Sequence, residues 1–301
     1  VQILNNTIYF ESAVDSYAAD EVTTAICVNS GVSIFDDDVE GNVTEIQKPG
    51  RKLTIDGAGK NYNGSIKVHS NSYYYADAAL TIQNVNFTTS VASTNVIEAL
   101  ENGSERYSTS ITVENCTFTA TGEAVNTAVG VQVKATRGVT VKNCTATNMH
   151  SLIQAQSCDT GDVKVVNCTV NGKNGVAFKQ VKAATVEGTT ITALEYGIRF
   201  DGNIDNYGIT VKDNNVSAVQ PFIVRKMTGK NNTITLEGTN TLTTESEYQI
   251  VITNGSDDEA YVKPTGTYTL TGADDYLVYP RDVYFLVATS AELVAALQTA
   301  V

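Results

Sequence analysis

Tryptophan is absent from this chain, proline occurs four times, and histidine and methionine occur twice each in 301 residues. Without tryptophan the commonest sugar-stacking side chain is missing, which leaves Tyr73, Tyr74, Tyr75, Tyr196 and Tyr207 as the aromatic platforms. Two isolated histidines, His69 and His150, supply neither a nucleophile triad nor an imidazole metal site. Basic residues are also short: 20 Lys and Arg stand against 33 Asp and Glu, a formal charge of −13. No Lys/Arg cluster interrupts that balance, so a nucleic-acid partner is excluded as an expectation. No run of 18 apolar residues exists, so no helical span crosses a bilayer. The five cysteines include no CxxC and no Cys/His grouping, which gives no metal signature and leaves the redox compartment open.

What is abundant is Thr, Asn, Val and Gly, a mixture that favours strands joined by tight turns. One short phrase recurs eight times, 21 to 31 residues apart. The copies read LTIDGAGK (53–60), LTIQNVNF (80–87), ITVENCTF (111–118), VTVKNCTA (139–146), VKVVNCTV (163–170), ATVEGTTI (184–191), ITVKDNNV (209–216) and ITLEGTNT (234–241). A repeat of this period is the mark of a solenoid. Positions one and three are aliphatic, as in Ile111/Val113 and Ile209/Val211, and positions two and four are mostly polar. That is the period-two alternation of a strand with one buried face.

Position five is always Gly, Asn or Asp: Gly57, Asn84, Asn115, Asn143, Asn167, Gly188, Asp213 and Gly238. These types enter the left-handed backbone region at low cost, so each is expected to turn the strand through a corner. Asn84, Asn115, Asn143 and Asn167 would then stack, with amides bonding from rung to rung. Cys116, Cys144 and Cys168 follow the corner on consecutive rungs and are read as three buried free thiols in one column. Upstream of most copies lies a further strand signal: SIKVH (65–69), GVQVK (130–134), LIQAQ (152–156), GVAFK (175–179), GIRFD (197–201), PFIVR (221–225) and YQIVI (248–252). Three short strands per coil follow.

With its "I-x-N-x-x-F" corner and asparagine ladder, the segment from about 50 to 272 resembles the right-handed parallel β-helix of the pectin-lyase-like superfamily. The resemblance implies an all-β fold of about ten coils. Residues 1–50 form irregular first coils, 51–272 the body, and 273–301 C-terminal strands and a short helix. That helix is signalled by Thr289 and Glu292 as a capping box before the apolar stripe Leu293, Ala296, Leu297, Ala300. It either covers the last coil or, since the family places such a helix ahead of its first coil, opens a further module. Residues 283–301 are accordingly a candidate surface for end-to-end or tandem-module contact. The start at Val1, with no methionine, is read as a piece of a longer protein, so the compartment is not legible from that end.

The fold hosts lyases, hydrolases, adhesins and tailspikes, so function must come from the site. If the aliphatics of the upstream strand face the core, Lys67, His69, Gln132, Lys134, Gln154, Gln156, Lys179, Arg199, Asp201 and Arg225 face outward as a polar stripe with a cationic bias. The resemblance places a substrate cleft on this sheet. Gln132, Lys134, Gln154, Gln156, Lys179, Arg199, Asp201 and Arg225 are therefore the candidate ligand-binding residues, and Lys179, Arg199, Asp201 and Arg225 the candidates for catalysis. The family's hydrolase motifs are missing, and GIRFDG (197–202) has neither their His nor their Lys. No cofactor is expected. The acidic turns 36–38, 257–259 and 274–275 are read as solvated, with loop-bound Ca2+ as the alternative.

The favoured expectation is a non-catalytic scaffold of an extracellular, cell-surface or virion-surface protein that presents the stripe to a glycan or a partner protein. The alternatives are a lyase or hydrolase of an acidic polysaccharide, and a subunit assembling end to end.

Overall fold

The computed structural model describes residues 54–66, 79–99, 110–134, 137–158, 161–255 and 261–280 in full. It adds the backbone of short strands between 6 and 29 and at 48–49, 52–53, 67–69 and 75–76. The chain is an all-β parallel solenoid of about eight turns. That is fewer than the ten coils expected, although one ladder counts ten strands, in an order that runs from Val278–Tyr279 at one end to Ile26–Asn29 at the other. Residues 283–301, the acidic turns 36–38 and 257–259, and the side chains of Cys27, Lys67, His69 and Tyr73–Tyr75 lie outside the described residues.

Each turn contributes three strands. Ser110–Glu114, Gly138–Lys142, Val163–Val166, Ala183–Glu187, Gly208–Lys212 and Asn232–Glu237 stack in parallel as a first ladder. Thr117–Ala120, Thr145–Met149, Thr169–Gly172, Thr190–Ala193, Asn215–Ser217 and Thr241–Thr243 form a second beyond the corner. The strands upstream of each phrase form the third. The alternation read from the sequence is the burial pattern: in Ser110–Glu114 and Gly138–Lys142 positions two and four of the strand are buried. On the outer face, like positions meet rung by rung, and Lys212 pairs with Glu187 at 2.7 Å as Lys142 does with Glu114.

Seven of the eight corners sit at the expected residue, with φ between 52° and 62° at Asn84, Asn115, Asn143, Asn167, Gly188, Asp213 and Gly238. The first copy departs from the rule. There the left-handed residues are Ala58 (φ 48°) and Gly59 (φ 74°), and Asp56 and Lys60 pair with Gln83 and Val85. Two extra residues therefore bulge out of that corner. Gly57 is needed for proximity instead: a Cβ on it would lie 2.6 Å from the Asn84 carbonyl oxygen. Asp56 holds the bulge, accepting from the Ala58 N–H (2.9 Å), Gln83 Nε2 (2.7 Å) and Asn84 Nδ2 (3.0 Å). These three donors keep its carboxyl below the usual range, the Gln83 bond most of all.

The asparagine ladder differs from its expected form. Asn115, Asn143 and Asn167 are exposed, and one amide pair among them bonds, Asn143 Nδ2 to Asn115 Oδ1 at 3.3 Å. The buried ladder lies one step further into the core. The Thr189 N–H donates to Asn214 Oδ1 (2.9 Å), and the Asn214 N–H donates to Asn240 Oδ1 (3.0 Å). The Asn214 and Asn240 amides donate onward to the carbonyls of Val186 (2.8 Å) and Val211 (3.1 Å). Corners deprive backbone groups of ladder partners, and these inward amides replace them.

Earlier rungs solve the same problem with sulfur. Cys116, Cys144 and Cys168 are buried free thiols in one column, as expected. Their sulfurs donate to the carbonyls of Glu114 (3.3 Å), Lys142 (3.2 Å) and Val166 (3.3 Å). The neighbouring thiol and burial push the Cys144 pKa up to about 12, and that of Cys168 is raised as well. Neither forms a thiolate at neutral pH.

Asn214→Ala should be strongly destabilising, because it strips Thr189 of its acceptor and removes a buried amide with several bonds. Urea unfolding should show a loss of about 2–4 kcal/mol. Cys168→Ala, which removes only a weak sulfur donor, should cost less. Equal losses in the two variants would refute the ladder's role.

Candidate functional site

Pairing along the third ladder decides which outward side chains are neighbours. One row runs Glu98, Gln132, Gln154, Ala177, Arg199, Ile223, Val251. The next runs Lys134, Gln156, Lys179, Asp201, Arg225. Rungs are about 4.8 Å apart, so each side chain stands within reach of its neighbours above and below. The inward alternates, among them Val131, Ile153, Phe178, Phe200 and Phe222, are buried and fix the orientation of both rows.

Where Ala177 interrupts the first row, the surface sinks into a cleft of about 290 Å³. Its lining brings together Gln132, Gln154, Gln156, Lys179, Arg199 and Asp201 from the expected stripe, and adds His150. Lys134 stands in the second row outside the cleft. The strand Asn95–Ala99, which carries Glu98 into the row, has no counterpart among the upstream signals read from the sequence. Its segment NVIEA does alternate.

Arg225 is not part of an exposed stripe. It is 1% exposed, and its guanidinium donates to Asp201 Oδ1 through Nε (3.2 Å) and Nη2 (3.1 Å). Asp201, itself 2% exposed, has Arg199 Nε at 3.6 Å from the same oxygen and Lys226 Nζ at 4.0 Å from the other. After Arg225 the chain turns at Lys226 (φ 52°), and the next residue, Met227, bonds through its N–H to the Thr253 carbonyl (3.0 Å) and accepts at its carbonyl from the Thr265 N–H (3.1 Å). Ile223 and Val251 are buried on the outer face here, and the stripe ends at Arg199. Asp201 thus ties the cleft to the scaffold, with Arg199, Arg225 and Lys226 ranged around its one carboxylate.

A second corner closes the cleft's edge. Ser157 (φ 54°), Gln180 (φ 54°) and Lys226 (φ 52°) are left-handed immediately after Gln156, Lys179 and Arg225. None is Gly, Asn or Asp, so composition carries no sign of this corner. It is held by rung bonds such as the Ser157 N–H to the Lys179 carbonyl (2.8 Å) and the Gly202 N–H to the Arg225 carbonyl (2.7 Å).

His150, set aside in the sequence as an isolated histidine, lies beside the cleft with both ring nitrogens engaged. Nδ1 is 3.3 Å from the Asn126 carbonyl oxygen, and Nε2 is 3.5 Å from Asn174 Nδ2. A neutral ring that donates from Nδ1 and accepts at Nε2 satisfies both contacts. Burial lowers its pKa, and nearby Lys173 and Arg199 add to the effect. Such a ring is neither a poised base nor an open metal ligand. Among the described residues, no three His, Cys, Asp or Glu side chains converge, and no helix is long and apolar enough to cross a membrane.

The aromatic candidates divide. Tyr196 is half-buried, with the Arg199 guanidinium 5.8 Å from its ring centroid. Tyr207 is buried against Phe200 at 4.6 Å and donates to Met227 Sδ (3.3 Å), so it belongs to the core and offers no sugar platform. Asp274 and Asp275 are exposed, as a solvated turn requires.

No family model, characterised protein or solved structure matches this chain. The class is therefore the one the geometry defines: a parallel β-solenoid with a cleft of amides and cations on one ladder.

Two measurements check this geometry. Asp201→Ala leaves the Arg225 charge buried without its carboxylate and should cost about 3–5 kcal/mol in urea unfolding, whereas Lys179→Ala, at an exposed position, should cost under about 0.5 kcal/mol. For His150, the folded pKa is below the unfolded one, so the native state binds the proton less well. Its contribution is fully present above the ordinary imidazole range near 6.5 and is lost as pH falls from there through the folded pKa. His150→Gln should flatten that part of the stability profile, and an unchanged profile would contradict the burial of the ring.

Proposed function

We propose that this chain is a non-catalytic β-helix module, of the pectin-lyase-like kind, that binds an acid-bearing glycan along its third ladder at an extracellular, cell or virion surface. The observation that supports this most is the composition of the cleft. Gln132, Gln154 and Gln156 offer amide donors and acceptors suited to sugar hydroxyls, and Lys179 and Arg199 offer charge for a carboxylate or sulfate. The rung repeat sets these groups at regular intervals along the axis, which suits a linear polymer better than a compact ligand. It also adds a cationic site to a protein whose formal charge is −13, so selectivity for acidic chains has to arise locally.

Depolymerisation fits the same cleft less well. Hydrolysis requires two carboxylates at a set separation, whereas the described residues of this lining include one, Asp201, held by Arg225. A lyase would draw its base from Lys179 or Arg199, and this is the activity that the test must watch for.

Binding to an immobilised uronate polymer should be measurable and should weaken as salt rises. Arg199→Ala and Lys179→Ala should each weaken it about tenfold while leaving the circular dichroism spectrum unchanged. A neutral polymer of equal length should not compete. Equal affinity for neutral and acidic polymers would remove the reading, and cleavage of the uronate polymer by the wild-type protein would replace it with an enzyme.

A further inference from the structure

Toward the C-terminal end of the third ladder the outer face changes character. The rings of Tyr248, Tyr261 and Tyr279 meet in a triangle with centroid separations of 5.5, 5.6 and 5.0 Å. Interplanar angles of 61°, 66° and 61° make every pair edge-to-face. Packing of this kind fixes the rings rigidly. Tyr261 nevertheless remains 44% exposed and Leu277 50%. A rigid aromatic cluster that is still open to solvent has the properties of a stacking platform, as Tyr offers a large contact area with little conformational entropy to lose.

The cluster is in line with the cleft. Tyr279 pairs with Val251, in the row that leads through Ile223 to Arg199. A second connection is made by side chains: Gln220 Nε2 donates to the Tyr261 hydroxyl at 3.5 Å. Gln220 is in turn the rung partner of Tyr196, whose ring sits under Arg199. The chemistry along this line runs from amides and cations, through Tyr196, to aromatic surface with no charged group in the triangle.

We infer that the tyrosine triangle is a second subsite that stacks the apolar face of a neutral pyranose. Together with the cleft, it reads a heteropolymer in which acidic and neutral sugars alternate. The inference rests on the glycan-binding reading of the cleft and adds to it a direction along the axis and a class of polymer. A homopolymer of uronates would satisfy the cleft but would bring its charges over the triangle, whose ring faces carry negative potential and repel anions. An alternating chain can place a carboxylate at Lys179 and Arg199 and still present a neutral ring to Tyr261.

The test is calorimetric titration of the whole chain with three oligosaccharides of equal length: all-uronate, neutral N-acetylglucosamine, and alternating glucuronate and N-acetylglucosamine. The wild-type protein should prefer the alternating oligomer to the all-uronate one by about tenfold. Tyr261→Ala should abolish that preference while leaving the affinity for the uronate oligomer unchanged. Tyr261→Phe, which keeps the ring and loses the hydroxyl, should retain it. A preference that survives Tyr261→Ala, or none in the wild type, overturns the triangle and leaves the cleft reading standing. If the neutral oligomer alone binds, lost in Tyr261→Ala and untouched in Arg199→Ala, the subsite stands and the cleft reading falls. No binding of any of the three overturns both.

Discussion

The whole molecule depends on one kind of backbone event repeated from turn to turn: a residue held at positive φ between two short strands. This event lets the strand change direction without a loop, so the same side chain returns to the same place one rung later. Strict return is what makes parallel pairing possible over so many turns, and parallel pairing is what turns a row of residues in the sequence into a row in space. Asn115, Asn143 and Asn167 share φ 52°, and such uniformity across turns with different neighbouring side chains shows that the corner, more than the packing around it, sets the geometry. Where the corner is altered, at Ala58–Gly59, the structure needs a dedicated carboxylate, Asp56, to absorb the extra residues.

Corners also create a cost, and the column next to them meets it. A turned backbone presents N–H and C=O groups that the flanking strands no longer satisfy. The position after the corner carries, in sequence along the axis, valine, then thiols, then Thr189 and Asn214, and in the last copy the buried amide comes one residue later, at Asn240. The progression is from groups that mainly fill space to groups that bond. Asn214 donates, accepts and links two rungs, so the later turns rest on specific polar bonds where the earlier ones rest more on packing, including the stacked rings of Phe87 and Phe118, 5.1 Å apart.

Much of this was legible in the sequence, because period-two alternation and left-handed residue types are local signals. The eight phrases, seven of the corners and the thiol column followed from them. Two parts did not. The corner after the third ladder uses Ser157, Gln180 and Lys226, ordinary residues forced to positive φ by rung bonds that only the stacked structure supplies. The fate of Arg225 was hidden for a related reason. Alternation assigns it outward, and outward normally means solvent, but here it is buried and bonded to Asp201, 24 residues earlier in the chain. The cleft itself was legible as a set of residues, Gln132 through Arg199. Its depth depends on Ala177, whose importance lies in what it does not fill, and on His150, which joins the cleft from the preceding corner.

The burial of Arg225 with Asp201 has a consequence for how a repetitive scaffold acquires a site. In a solenoid every rung offers nearly the same outer surface, so something must break the repetition for a ligand to bind at one place. Here the break has two sides. At Ala177 a short side chain opens the surface, and at Asp201 a carboxylate one rung on draws Arg225 inward and Arg199 close. Arg199 therefore marks the boundary, with its Nε 3.6 Å from the buried carboxylate and its guanidinium carbon 5.8 Å from the Tyr196 centroid. A cation held by an acid at one edge and by a ring beneath it has fewer conformations to lose when it meets an anion. The same pair that ends the polar stripe thus preorganises its last residue, so the rule that builds the scaffold and the exception that makes the site meet in one side chain.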